Sequence, residues 1–160
     1  MDKFSPHIYS FILPLFVGNV VHMFIVKGNY FQYAAKPLSI ALFGAGKTYR
    51  GFMVMPLICG LTSLLFRSLI LHEPCGYWSF CIGFILGFAY LTGELPNSFI
   101  KRRSGIASGQ MHPRYKLIQN IIDKSDSLLT ACVVYFFIVP VTAGMTVTLF
   151  AVSFIIHVIF

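Results

Sequence analysis

Residues 76–95 read GYWSFCIGFILGFAYLTGEL, a run whose single charged side chain, Glu94, stands next to its end. Twenty apolar residues cross a hydrocarbon core of about 30 Å as a helix, so this stretch reads as a membrane span. Upstream, two segments of similar length and character run from Ser5 to Val26 and from Gly51 to Leu71. Downstream, residues 128–160 are apolar almost throughout. As one helix at about 1.5 Å per residue they would extend roughly 50 Å, too long for one crossing even when tilted. The segment is therefore divided at Pro140 and Gly144, with a single helix kinked at Pro140 as the alternative. The expectation is an all-α, polytopic integral membrane protein of one domain over residues 1–160. It has about five transmembrane helices, near 5–26, 51–71, 76–95, 128–141 and 145–160, and two cytoplasmic basic loops, 27–50 and 96–127.

Composition agrees. The chain has 160 residues, 57% hydrophobic and only 11% charged, where soluble domains carry roughly a quarter charged residues. A soluble α/β enzyme, a disordered tail and a secreted disulfide scaffold are excluded. Cys59, Cys75, Cys81 and Cys132 include no C-x-x-C pair and read as small buried hydrophobes. The first segment is long, is interrupted by Pro14, Asn19 and His22, and lacks a small-x-small cleavage site, so it reads as a retained helix rather than a signal peptide.

The net charge of +7 would ordinarily raise nucleic acid as a partner, but ten of the twelve Lys and Arg fall in two stretches. Lys27, Lys36, Lys47 and Arg50 form one; Lys101, Arg102, Arg103, Arg114, Lys116 and Lys124 form the other. That segregation is the positive-inside signature, so both loops are expected in the cytoplasm, His72 and Glu73 outside, and nucleic acid is not expected as a partner. Arg67, near the outer end of the second span, is expected to snorkel to the interface.

The polar chemistry lies in those loops. The first ends in Gly44-Ala45-Gly46-Lys47-Thr48-Tyr49-Arg50-Gly51. A P-loop would need Gly where this chain has Ala41, and a preceding strand. What remains is a glycine bend with Lys47, Thr48 and Arg50 beside a helix N-terminus, suited to anions or simply to lipid headgroups. The second loop opens with Glu94, Asn97, Ser98 and Lys101-Arg102-Arg103, which places a carboxylate and three cations where bilayer meets water. It closes with Asp123 and Asp126, three apart, on one face if helical. They can hold a divalent cation together or serve at a helix start. Mg²⁺ takes one or two carboxylates plus substrate phosphate oxygens, so the inventory suits a nucleoside triphosphate, with the bilayer supplying the second substrate. The five histidines are dispersed, and no Ser-His-acid triad or zinc site is supported.

At these residues the chain resembles the CDP-archaeol synthases. Residues 46–51, GKTYRG, are similar to their G-K-T-W-R-G element; Gly93-Glu94 with Ser98-Phe99-Ile100-Lys101-Arg102-Arg103 and Gly105 is similar to G-D-x-x-x-S-F-x-K-R-R-x-G; Asp123-Lys124-Ser125-Asp126 is similar to D-Q-x-D. Parts of the last two also resemble phosphatidate cytidylyltransferases. The resemblance implies Mg²⁺-dependent transfer of a cytidylyl group from CTP to a membrane lipid phosphate at the cytoplasmic side of the cell membrane, with release of pyrophosphate. It implies Asp123 and Asp126, with Glu94, as metal ligands. Gly46, Lys47, Thr48, Arg50, Ser98, Lys101 and Arg102 become the nucleotide-binding set, and Lys101, Asp123 and Asp126 the catalytic residues. Asn97 and Arg103 are secondary candidates. Glu94 stands where the family has Asp, and Lys124 where it has Gln, so the Lys124 side chain must point away from the Asp123–Asp126 face. The alternatives are a CTP-dependent lipid-alcohol kinase and a non-catalytic membrane module. Gly83 and Gly87 form a G-x-x-x-G suited to close packing within one chain or across a homodimer.

Overall fold

A computed structural model describes residues 4–70, 76–110 and 116–159, without the side chains of Lys116, Leu117 and Asn120. His72, Glu73, Cys75 and Arg114 lie outside the described residues. Among the described residues the chain is mostly helical: α1 Ser5–Lys27, α2 Ile40–Phe43, α3 Tyr49–Ile70, α4 Tyr77–Arg103, α5 Lys116–Ile138 and α6 Ala143–Ile159. Among the described residues no strand occurs, only an isolated bridge between Pro37 and Thr48. Three helices among the described residues, α1, α3 and α4, are long and apolar enough to cross a membrane, and α6 is a shorter apolar helix. The protein is an all-α membrane protein.

α4 is the central element, packing along α3 on one side and α5 on the other. Its Gly83 and Gly87 face Cys59 and Pro56 of α3; a Cβ at Gly87 would stand 2.8 Å from the Pro56 Cα. The G-x-x-x-G is therefore occupied by close packing within the chain, where small residues let helix backbones approach. Phe11, Met55, Leu86, Tyr135 and Leu149 are fully buried at the seams between the helices. In α1 the turn Ile8–Ile12 is a π-helix. Pro14, with no N–H to return to the carbonyl four residues back, stands two residues beyond it.

The expected 96–127 loop differs from the sequence reading, whereas the division near Pro140 agrees with it. Where Pro96 suggested the start of a loop, α4 continues through it to Arg103, and α5 begins at Lys116, so residues of the expected 96–127 loop are largely helical. Proline is tolerated inside helices of membrane proteins because neighbouring groups satisfy the freed backbone. At the other end α5 stops at Ile138 and α6 starts at Ala143, so the chain breaks at Pro140 rather than kinking there. Arg67 Nη1 donates to Ser10 Oγ of α1 at 3.1 Å.

Candidate active site

Extending α4 past Pro96 puts its polar residues on a rigid element. Glu94, Asn97, Ser98, Lys101 and Arg102 stand at i, i+3, i+4, i+7 and i+8, one stripe along one helical face. α5 presents Asp123, Asp126 and Ser127 at i, i+3 and i+4. The bend before α3 adds Gly46 and Lys47, and residues after α4 add Ser108 and Gln110. All of these but Ser127, which is fully buried, line one cavity of about 360 Å³, which takes Lys47 from one basic stretch and Lys101 and Arg102 from the other.

Within it, charges pair across long sequence separations: Lys47 with Glu94, and Lys101 with Asp123. Asn97 Nδ2 donates to Asp123 Oδ1 at 2.6 Å and to Asp126 Oδ2 at 2.9 Å, drawing both carboxylates to a single nitrogen. The Ser127 backbone N–H donates to Asp126 Oδ1 at 2.6 Å, and its hydroxyl lies 3.0 Å from the same oxygen and 3.3 Å from Glu94 Oε1. Asp126 precedes the apolar run of α5. Burial pushes its carboxyl above the usual carboxylate range, opposed by the hydrogen bonds from Asn97 and Ser127.

Two glycines make the convergence possible. A Cβ at Gly93 would stand 2.6 Å from Thr130 Oγ1 and 2.9 Å from the Asp126 carbonyl oxygen, so its absence lets α4 meet α5 at the level of the carboxylates. Gly44 has φ +82°, in the region that disfavours side chains, and a Cβ there would stand 2.7 Å from Arg102 Nη1.

The expected site residues divide into three groups. Gly46, Lys47, Glu94, Asn97, Ser98, Lys101, Arg102, Asp123 and Asp126 line the cavity. Thr48 and Arg50 line an adjoining recess that shares Gly46, Lys47 and Glu94 with it. Arg103 instead lies over the Phe99 ring, 5.3 Å from its centroid. Thr48 also begins α3: its Oγ1 accepts from the Gly51 N–H at 3.4 Å, the N-cap position in which Thr is favoured. Lys124 points away from the carboxylate face, its Nζ donating to the carbonyls of His157 at 3.2 Å and Val158 at 3.4 Å, at the end of α6. Ser127, Ser108, Gln110 and His22 were not found from sequence. Only Ser127 had a signal, its place four residues after Asp123 on the carboxylate face.

Among the described residues no three of His, Cys, Asp and Glu gather as a metal cage. Two carboxylates held by one amide, facing a cavity lined by Lys47, Lys101 and Arg102, suit a hard divalent cation whose remaining ligands are phosphate oxygens and water.

Fold and cavity together define an integral membrane protein of bundled helices, one end of which is given to a site lined by opposite charges. A family model described as CarS-like CDP-archaeol synthase matches residues 5–160, and the chain belongs to that family. Among curated proteins, a CDP-archaeol synthase of Methanopyrus kandleri is 31% identical over 130 residues, covering 80% of this chain and 68% of that one. Its counterpart in Staphylothermus marinus is 38% identical over 97 residues, covering 61% of this chain and 49% of the relative. That of Pyrobaculum islandicum is 35% identical over 94 residues, covering 59% and 50%. The chain thus matches from about half to two thirds of these relatives' lengths. No solved structure matches.

Proposed function

We propose that this protein transfers a cytidylyl group from CTP to the phosphate of a membrane lipid, using Mg²⁺, at the cytoplasmic face of the membrane. The observation that carries the reading is the meeting of the Asp123–Asp126 pair with Lys47, Lys101 and Arg102, contributed by three separate segments, in one cavity. Membership in a family of CDP-archaeol synthases supports the cytidylyl chemistry. The gathering of both basic stretches at the same end supports the cytoplasmic orientation.

In the reaction an oxygen of the lipid phosphate attacks the α-phosphorus of CTP. The bond from that phosphorus to the β-phosphate oxygen breaks, and pyrophosphate leaves with the electron pair. The attacking phosphate is already ionised near neutral pH, so no proton has to be removed. Accordingly, among the described residues the cavity lining includes no histidine or cysteine. Direct transfer of this kind depends on positioning and charge neutralisation.

Asp123 and Asp126 would hold Mg²⁺, with Glu94 joined to Asp126 through Ser127. The ion supplies charge neutralisation on phosphate oxygens when bound. Lys47, Lys101 and Arg102 bind and neutralise the triphosphate, Ser98 orients it, and Asn97 holds the two aspartates in register.

The test is turnover by the purified protein with CTP, Mg²⁺ and either phosphatidic acid or a dialkyl-ether glycerol phosphate. Pyrophosphate and a CDP-lipid, identified by mass spectrometry, are expected, and neither with Asp126→Asn. CDP and a newly phosphorylated lipid from a lipid alcohol would mark a kinase instead. No product from lipid phosphates or lipid alcohols would leave a non-catalytic membrane module.

A further inference from the structure

The cavity has neighbouring spaces that share lining residues with one another. The recess beside it, about 240 Å³, is bounded by His22, Thr48 and Arg50 and shares Gly46, Lys47 and Glu94 with the charged cavity. Beyond His22 lies a groove of about 310 Å³ between α1 and α6, walled largely by apolar side chains such as Leu15, Val20 and Ile156. His22 belongs to both the recess and the groove. It stands there because Gly51 has no side chain: a Cβ at Gly51 would lie 3.2 Å from His22 Nε2.

Arg50 is the decisive residue of the recess. It is 6% exposed, its Nη1 donates to the Tyr30 carbonyl at 3.0 Å, and its buried Nε has no partner. A buried guanidinium donor left unmatched is costly and is a feature that calls for an acceptor. The Tyr30 carbonyl lies between Asn29 and Phe31, both at positive φ (56° and 53°), so the turn is held in a sparsely populated conformation around the group that fastens Arg50. The groove is not uniformly apolar: Asn19, His157 and Ser153, whose buried hydroxyl has no partner, place polar groups along its wall.

We infer that this recess and groove receive the acceptor lipid, its phosphate between Arg50, Thr48 and His22 and one of its chains between α1 and α6, so that Lys47 and Glu94 form the wall shared with the nucleotide. The inference rests on the cytidylyl-transfer reading and reassigns Thr48 and Arg50 from the triphosphate to the acceptor. A shared wall is what the chemistry requires, because the attacking oxygen and the α-phosphorus must come within about 3.5 Å. An amphiphile with an anionic head and apolar tail matches a guanidinium recess that borders an apolar groove at His22. Polar groups in the groove wall suit the two linkage oxygens of a glycerol backbone.

The experiment compares wild type with Val20→Trp, which fills the groove, and with Arg50→Lys and Thr48→Val, which alter the recess. It measures KM for dioleoyl phosphatidic acid and for a dialkyl-ether glycerol phosphate in mixed micelles, KM for CTP, and the thermal shift given by CTP with Mg²⁺. Val20→Trp and Arg50→Lys should each raise the lipid KM at least tenfold while leaving the CTP–Mg²⁺ shift and the KM for CTP near wild type. Thr48→Val should do so to a lesser degree, and keeps the recess testable if Arg50→Lys fails to fold. Glycerol 3-phosphate, a head without chains, should compete equally in wild type and Val20→Trp and more weakly in Arg50→Lys. A lost CTP–Mg²⁺ shift in folded Arg50→Lys or Thr48→Val, with the lipid KM unchanged, would return the recess to the nucleotide and overturn the assignment. An unchanged lipid KM in Val20→Trp would overturn the groove. If wild type itself showed no CTP–Mg²⁺ shift and no turnover, the cytidylyl-transfer reading would fall, and this inference with it.

Discussion

At one end of the bundle Arg67 of α3 donates to the Ser10 hydroxyl of α1 at 3.1 Å, and His7 meets the Tyr135 hydroxyl at 2.9 Å. At the other end Lys47 pairs with Glu94 and Lys101 with Asp123 in the lining of an open cavity. The first pairing sets charge or dipole against neutral hydroxyls inside packed helices, with Ser10 and Tyr135 almost wholly buried. Such contacts satisfy polar groups and join α1 to α3 and α5. The second sets opposite charges along a space that a ligand can enter. A polar group enclosed by protein is an adhesive, whereas one that lines a cavity is free to exchange its partner.

That contrast can be broken most severely at the carboxylates. Asp126→Asn should lower pyrophosphate release by about a thousandfold, as for removal of a key electrostatic group, with little change in the thermal midpoint without ligand. Lys101→Met should cost on the order of a hundredfold in turnover and leave Asp123 without its cation. Measuring CTP affinity alongside turnover separates binding from chemistry. Asn97→Ala removes the amide that holds both aspartates. A loss of about 10- to 100-fold is expected, in keeping with residues that orient metal ligands, and titration with Mg²⁺ should show a raised half-saturation point. Gly93→Ala should destabilise the fold by about 1–3 kcal/mol through overpacking between α4 and α5, seen as a lower midpoint on heating, with turnover falling because the carboxylates are pushed apart. At the opposite end, Ser10→Ala should cost about 1 kcal/mol of stability and leave kcat and both KM values unchanged. A large loss of turnover there would erase the distinction between the two ends.

Much of this arrangement could be read before any coordinates. Runs of about twenty apolar residues define spans because the bilayer imposes a length. The two basic stretches indicate a common side, and the Asp123–Asp126 spacing shows one helical face. What could not be read has a common cause. Pro96 signals a helix end in water, and its tolerance inside α4 depends on surroundings the local sequence does not encode. For that reason the stripe from Glu94 to Arg102 looked like a loop with scattered charges. The Lys47–Glu94 pair joins residues 47 positions apart, and nothing local specifies it. Ser108 and Gln110 are common polar residues whose value comes only from facing a cavity, and Ser127 counts only through its bonds to Asp126 and Glu94. The same holds for His22, which is visible as a histidine in an apolar run but acquires meaning through Gly51, the residue that leaves it room.

Lys124 carries one more consequence. Its ammonium fastens the carbonyls that end α6 to the helical turn bearing Asp123 and Asp126. Lys124→Met should therefore loosen α6 from that turn, seen as a lower midpoint on heating, and cost turnover only through the setting of Asp123 and Asp126.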